Sequence, residues 1–174
     1  RKAPYATMAE VVPELKDRTL TLNGVSKAHA MTGWRIGFAG GPEWLIKAMA
    51  KLQSQSSGNP CSIAQAAAVA ALNGPQDHLT EHNAKFRDRR DLIVAMLNDT
   101  PGLTCPVPDG AFYVFPDATG LIGARKPDGG VIADDWALCD YLLERGRVAA
   151  VAGSAFGHSG AFRISYAVSR DTLR

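Results

Sequence analysis

Residues 23–37 read Asn-Gly-Val-Ser-Lys-Ala-His-Ala-Met-Thr-Gly-Trp-Arg-Ile-Gly, and the reading of the whole chain turns on this stretch. It sets one lysine, Lys27, and one arginine, Arg35, among small residues. A lysine buried among Gly24, Val25, Ala28 and Ala30 is expected to be poorly hydrated, which favours the neutral amine and makes it a nucleophile toward a carbonyl compound. Arg35 suits bidentate contact with a phosphate, and Gly33 and Gly37 on either side allow a rigid anion close to the backbone. Most lysines and arginines are solvated surface charges. An eight-residue separation across a glycine-bearing loop favours a shared anionic ligand over that plainer reading.

Outward from this stretch, strands and helices alternate. Residues 19–22 are β-branched and leucine-rich and end at Asn23-Gly24, so Lys27 is expected just past a strand end, where open α/β sheets build their sites. Residues 35–39 read as the next strand, closed by Gly40-Gly41. Pro42 suits a first helical position, and Trp44, Leu45, Ala48, Met49 and Leu52 recur at helical spacing through Gln53. A polar loop follows over 54–60, then an alanine-rich helix over 62–72. Asn73-Gly74-Pro75 breaks the pattern and marks a domain border.

A long helix is expected over about 76–98, with Leu79, Phe86, Ile93 and Met96 or Leu97 on one stripe and Glu81, Lys85, Arg89 and Asp91 on a charged face. Strands are expected at 112–115, 148–151 and 162–168, and a helix at 134–145. Ser169 is placed to cap a last helix. The expected organisation is therefore an α/β portion over 1–75, a connecting helix over 76–100 and a small α+β domain over 101–174.

Composition bounds the function classes. A formal net charge of +2 on 174 residues, with both signs interspersed, provides neither a basic stripe for nucleic acid nor a polybasic membrane patch. The longest apolar run, 63–72, is broken by Gln65 and is too short to cross a bilayer. The three cysteines, Cys61, Cys105 and Cys139, have no metal or redox spacing. A reducing cytoplasm is the expected compartment.

A carbonyl-capturing lysine with a phosphate-binding arginine is what pyridoxal 5'-phosphate (PLP) requires. Ser26-Lys27 followed by Met31-Thr32-Gly33-Trp34-Arg35-Ile36-Gly37 resembles the cofactor-lysine signature of fold-type I aminotransferases, specifically the bacterial aspartate and aromatic aminotransferase branch. Gly110-Ala111-Phe112-Tyr113, then Val151-Ala152-Gly153-Ser154-Ala155-Phe156-Gly157, then Phe162-Arg163-Ile164-Ser165-Tyr166 follow in that family's order. The resemblance implies the C-terminal part of a PLP-transferase large domain, a three-layer α/β/α structure, followed by most of the small α+β domain.

It also implies site residues: Lys27 linked to PLP as a Schiff base, Arg35 and Ser26 on the cofactor phosphate, and Arg163 on the substrate α-carboxylate. The family is longer than this chain. The portion expected to be missing supplies the ring-stacking aromatic residue, the aspartate on the ring nitrogen, and the tyrosine and asparagine near the ring oxygen. The substrates implied are an L-amino acid, aspartate first and aromatic amino acids second, and a 2-oxo acid. The family is usually a homodimer, and residues 54–59 are a candidate interface loop. A PLP-dependent lyase on the same scaffold and a non-catalytic ligand-sensing module are the alternatives.

Departures from the family pattern are Gly24, where some members have a serine three residues before the lysine, Ala152 in place of a proline, and His29 in place of an aromatic residue. His29 is expected to pack against the neighbouring strand. Strand alternation from Phe162 through Ile164, Tyr166 and Val168 turns Arg163 and Ser165 to the opposite face. The plainer alternative for Arg163 is a surface side chain lying on the sheet.

Competing motifs are weaker. Gly157-His158-Ser159-Gly160-Ala161 resembles a hydrolase nucleophile elbow, but that elbow needs a helix after the serine where a strand is expected. His78 and His82 have no zincin order between them and no third metal ligand. No metal site is expected.

Overall fold

Strands β1 (Thr21–Gly24) and β2 (Gly37–Gly40) pair antiparallel, with Thr21 opposite Gly40 and Gly24 opposite Gly37, in a computed structural model that describes residues 5–173. A β-carbon on Gly24 would lie 3.3 Å from the Ile36 carbonyl oxygen, and one on Gly37 3.3 Å from that of Asn23. The paired glycines thus let the two backbones approach at the mouth of the long loop that joins them. Asn23-Gly24 therefore ends the strand, as expected, as its last paired residues. The second strand begins at Gly37, later than expected, because Arg35 adopts a left-handed backbone (φ 51°, ψ 49°) that no strand accommodates.

A short helix α1 (Met8–Val11) and a 3-10 turn (Pro13–Arg18) precede this hairpin, and helices α2 (Glu43–Ser56) and α3 (Ser62–Asn73) follow it. Pro42 is the N-cap of α2 rather than its first residue. The expected loop at 54–60 is shorter because the helix runs on to Ser56. The Ser54 hydroxyl donates to the Lys51 carbonyl and that of Ser56 to the Leu52 carbonyl, so both serines satisfy themselves inside the helix. The alanines of α3 favour helix intrinsically. Ala64 and Ala68, one turn apart, are its buried positions.

Helix α4 (Asp77–Asn98) straddles the point, between Thr80 and Glu81, where the chain divides into two compact units. The second unit contains β3 (Tyr113–Val114), α5 (Asp135–Gly146), β4 (Val151–Ala152) and β5 (Phe162–Ser165), with β5 central in an antiparallel sheet of order β3-β5-β4. Strand β4 starts at Val151, later than expected, because Arg147 is left-handed (φ 55°) and the Val148 N–H turns back to the Leu142 carbonyl at 3.0 Å to close α5. The Ser169 hydroxyl oxygen accepts from the Thr172 N–H at 3.1 Å, as a helix cap would, but caps a single turn over 170–173.

Two apolar clusters support this sheet. One gathers Ala118, Ile132, Leu138, Cys139, Ala152 and Phe162. The other gathers Ile93, Val94, Cys105, Val114 and Tyr166, with Phe86 and Leu97 of α4 against it. Of the expected α4 stripe, Phe86, Ile93 and Leu97 do this packing, whereas Met96 is exposed. Along β5 and its continuation, Phe162 and Tyr166 are buried and Ile164 touches both clusters, which is the period-2 burial anticipated. Val168 lies past the strand end and is exposed.

Candidate active-site residues

The loop over 25–36 is anchored by three apolar side chains. Val25, with no exposed surface, Met31 and Ile36 pack on Ala67, Ala68 and Ala71 of α3. Small alanines let the loop lie close to the helix. Between the anchors the backbone is held by turns: the His29 N–H donates to the Val25 carbonyl at 3.2 Å and the Ala30 N–H to that of Lys27 at 3.3 Å. A 3-10 turn (Thr32–Trp34) then leads into Arg35.

The structure brings Ser26, Lys27 and Arg35 onto this one loop. Ser26 is half-buried beside Val25, while Lys27 and Arg35 are exposed. The expected burial of Lys27 is corrected: of its small neighbours only Val25 is enclosed, and Ala28 and Ala30 are exposed like the lysine itself. Alanine and glycine offer too little side chain to cover a lysine, so the residue stays exposed. Arg35 donates from Nη1 to the Thr32 carbonyl at 2.9 Å, which folds it back over its own turn. A guanidinium has five N–H donors, so this bond fixes the side chain and leaves donors for an anion.

The His29 ring lies 5.4 Å from that of His78 on α4. Ser159 is followed by β5 and not by a helix, which removes the hydrolase elbow. Among the described residues no group of three or more histidine, cysteine and acidic side chains could hold a metal ion. No helix among them is long and apolar enough to cross a membrane.

Arg163 belongs to the other unit. It stands on β5 opposite Val151 of β4 and on the face away from Phe162 and Ile164. Its guanidinium carbon lies 4.4 Å from the Tyr113 ring centre and 4.7 Å from that of Phe156. Two aromatic faces thus hold the cation by the attraction of their ring quadrupoles, and the half-buried side chain is braced rather than laid loosely on the sheet.

Polar contacts lie close in the chain to both rings. Two residues before Tyr113, Ala111 is a non-glycine residue in the left-handed region (φ 62°), and the Tyr166 hydroxyl donates to its carbonyl at 2.9 Å. Burial raises the Tyr166 phenol above its ordinary pKa; Arg90 acts in the opposite direction and Asp91 reinforces the rise. Phe156 ends a 3-10 turn (Gly153–Phe156) in which the carbonyl oxygens of His158 and Ala161 fill the space a Gly153 β-carbon would need.

Asp135 reaches this turn from the start of α5. Its Oδ2 accepts the Ser154 N–H at 2.6 Å and its Oδ1 the Ser154 hydroxyl at 2.8 Å. Burial alone would raise this carboxyl, but the bonds from the Ser154 N–H and hydroxyl, and those from its own and the Gly160 N–H, outweigh burial and hold it below the usual carboxylate range.

Sequence reasoning did not assign Tyr113, Phe156, Ser154 or Asp135. The first three lie inside the quoted motifs, so the signal was present without a role. Asp135 is preceded by Asp134, which caps α5 by accepting the Ala137 N–H at 2.8 Å. Nothing in the pair of aspartates says which one turns inward.

A family model described as aminotransferase class I and II matches residues 2–174. An aspartate/prephenate aminotransferase of Cereibacter sphaeroides is 56% identical over 170 residues, 98% of this chain and 42% of that protein. An aspartate aminotransferase of Rhizobium meliloti is 58% identical over the same shares. The crystal structure of the aspartate aminotransferase from Rhizobium meliloti superposes with a TM-score of 0.94 at 58% identity, covering 97% of this chain and 42% of that one. An aromatic aminotransferase from Pyrococcus horikoshii gives 0.85 at 36% identity, covering 99% and 44%. The chain therefore spans about 42% of the length of the first relatives it matches, and it belongs to the class I and II aminotransferase family.

Proposed function

We propose that the protein carrying this chain is a PLP-dependent aminotransferase that moves an amino group between an L-amino acid, aspartate first, and a 2-oxo acid. The observation that carries the reading is the loop over 25–36, closed by the Gly24–Gly37 pair, which carries an exposed lysine and an exposed arginine. That donor set fits PLP: the Lys27 amine would hold the aldehyde covalently, and Arg35, with the Ser26 hydroxyl, the phosphate. When bound, the cofactor supplies an electron-withdrawing ring that stabilises negative charge at the substrate Cα.

The other steps are the chain's own. Once the incoming amino group displaces it, Lys27 Nζ would take the proton from the substrate Cα and pass it on rather than back, so that the amine ends as it began. Arg163 grips the α-carboxylate through parallel N–H to O bonds, orienting the substrate as well as neutralising it. The stack on Tyr113 and Phe156 supports this role by fixing the plane of the fork before substrate arrives.

In this reading residues 1–75 are the end of the large domain, 76–100 a connecting helix and 101–174 the small domain. The enzyme works as a homodimer in the cytoplasm. Prephenate is a second oxo-acid candidate, favoured by the name of the Cereibacter sphaeroides relative. The experiment is to purify the full-length protein with PLP and follow its absorbance while adding L-aspartate, L-glutamate and L-phenylalanine in turn. Loss of the band of lysine-bound cofactor with aspartate, reversed by 2-oxoglutarate, supports the reading. A spectrum that no amino acid changes overturns it.

A further inference from the structure

We propose that Asp135 is a positioning residue for carboxylate capture: by gripping Ser154 with both oxygens it sets the turn that carries Phe156, and Phe156 in turn holds the Arg163 guanidinium in its binding orientation. The inference rests on the reading of Arg163 as the carboxylate clamp. Its steps are local to residues 81–173.

Asp135 is only 1% exposed. A buried carboxylate is costly unless its oxygens are satisfied, and here they are satisfied largely by Ser154, through the backbone N–H at 2.6 Å and the hydroxyl at 2.8 Å. A two-point grip fixes orientation as well as position. Ser154 lies inside the 3-10 turn (Gly153–Phe156), whose first residue is tied by the Gly153 N–H to the Ala161 carbonyl at 2.8 Å and by the His158 N–H to the Gly153 carbonyl at 3.1 Å.

Phe156 is 49% exposed, so burial does little to hold its ring. Its place is set by the turn and by an edge contact with Phe115 at 5.9 Å. It nevertheless lies against Arg163 at 4.7 Å. Releasing Ser154 frees the turn, the ring follows, and the guanidinium loses one of its two walls. The charged group that could do the same work from the surface, Asp134, is occupied with the helix cap.

The test uses the full-length enzyme loaded with PLP and reads KM and kcat for an amino acid and an oxo acid, cofactor content and thermal midpoint. Asp135→Asn is expected to raise KM for both substrates about tenfold, the size of one charge-assisted hydrogen bond, with kcat and cofactor content within about twofold. Ser154→Ala, which keeps the backbone bond, is expected to raise KM about threefold, and Ser154→Thr, which keeps the hydroxyl, to stay near the parent. In an Arg163→Ala background, Asp135→Asn is expected to add no further rise in KM, because the route through Arg163 is gone.

The same rise in both backgrounds, or a lowered midpoint with unchanged KM, overturns the inference and leaves the clamp reading standing. If Arg163→Ala itself leaves KM unchanged, the clamp reading fails first. Should Asp135→Asn not fold, the serine variants decide: an unchanged KM in Ser154→Ala overturns the inference, and a rise that Ser154→Thr does not show supports it.

Discussion

Replacing Arg163 with lysine separates the packing its side chain shows from the carboxylate contact proposed for it. Lysine keeps the positive charge but loses the planar fork and the flat face that lies on the rings. The structure gives the guanidinium two aromatic partners, at 4.4 and 4.7 Å. At about 0.5–1 kcal/mol for each such contact on a half-buried group, the folded state should lose about 1–2 kcal/mol. Loss of the second parallel bond to a carboxylate costs a further ~1.5–3 kcal/mol, but only when substrate is bound. The full-length Arg163→Lys enzyme should therefore show a modest shift in the denaturation midpoint and KM values roughly 10- to 150-fold higher for every amino and oxo acid. Denaturant titration and steady-state kinetics on one preparation measure both. A destabilised enzyme whose KM moves less than about twofold would refute the carboxylate role and leave Arg163 as a brace between two rings.

Gly153→Ala forces a β-carbon against the His158 and Ala161 carbonyls, so the turn must shift; a loss of about 1–3 kcal/mol is expected by denaturant titration, together with weaker substrate capture. The depressed Asp135 carboxyl contributes stability that is fully present above the ordinary carboxylate range, near ~3.9, and is lost as pH falls through its lower folded value. Asp135→Asn should accordingly flatten the acid limb of the stability–pH curve, and an unchanged limb would contradict the hydrogen-bond account. Phe162→Ala, at a site 2% exposed in the core, should cost about 3–5 kcal/mol in urea unfolding with cofactor content preserved in the molecules that remain folded.

The elements that sequence periodicity located best are those whose packing is one-sided. Helix α4 and strand β5 each bury one face, so period 3.6 and period 2 were legible in Phe86, Ile93 and Leu97 and in Phe162, Ile164 and Tyr166. Boundaries failed where backbone conformation and not hydropathy decides. Arg35 and Arg147 adopt left-handed conformations that nothing in an arginine announces, and Ser54 and Ser56 looked like loop residues but bond back to their own helix.

The candidate residues on the 25–36 loop stood out because a lysine, an arginine and their glycines sit within one short stretch. The exposure of Lys27 was not, since the number of small neighbours says nothing about what covers them. The support behind Arg163 was hidden for a different reason. Asp135 and Ser154 are 19 positions apart, and only the fold places the start of α5 against the turn.

The central claim is that Lys27 carries the cofactor. The most direct measurement is to reduce the PLP-loaded full-length protein with borohydride, digest it, and find by mass spectrometry which lysine bears the pyridoxyl group. The account predicts the label on the peptide containing Lys27 and its loss, without relocation, in Lys27→Ala. A label on another lysine, or none on a protein that binds PLP, would contradict it.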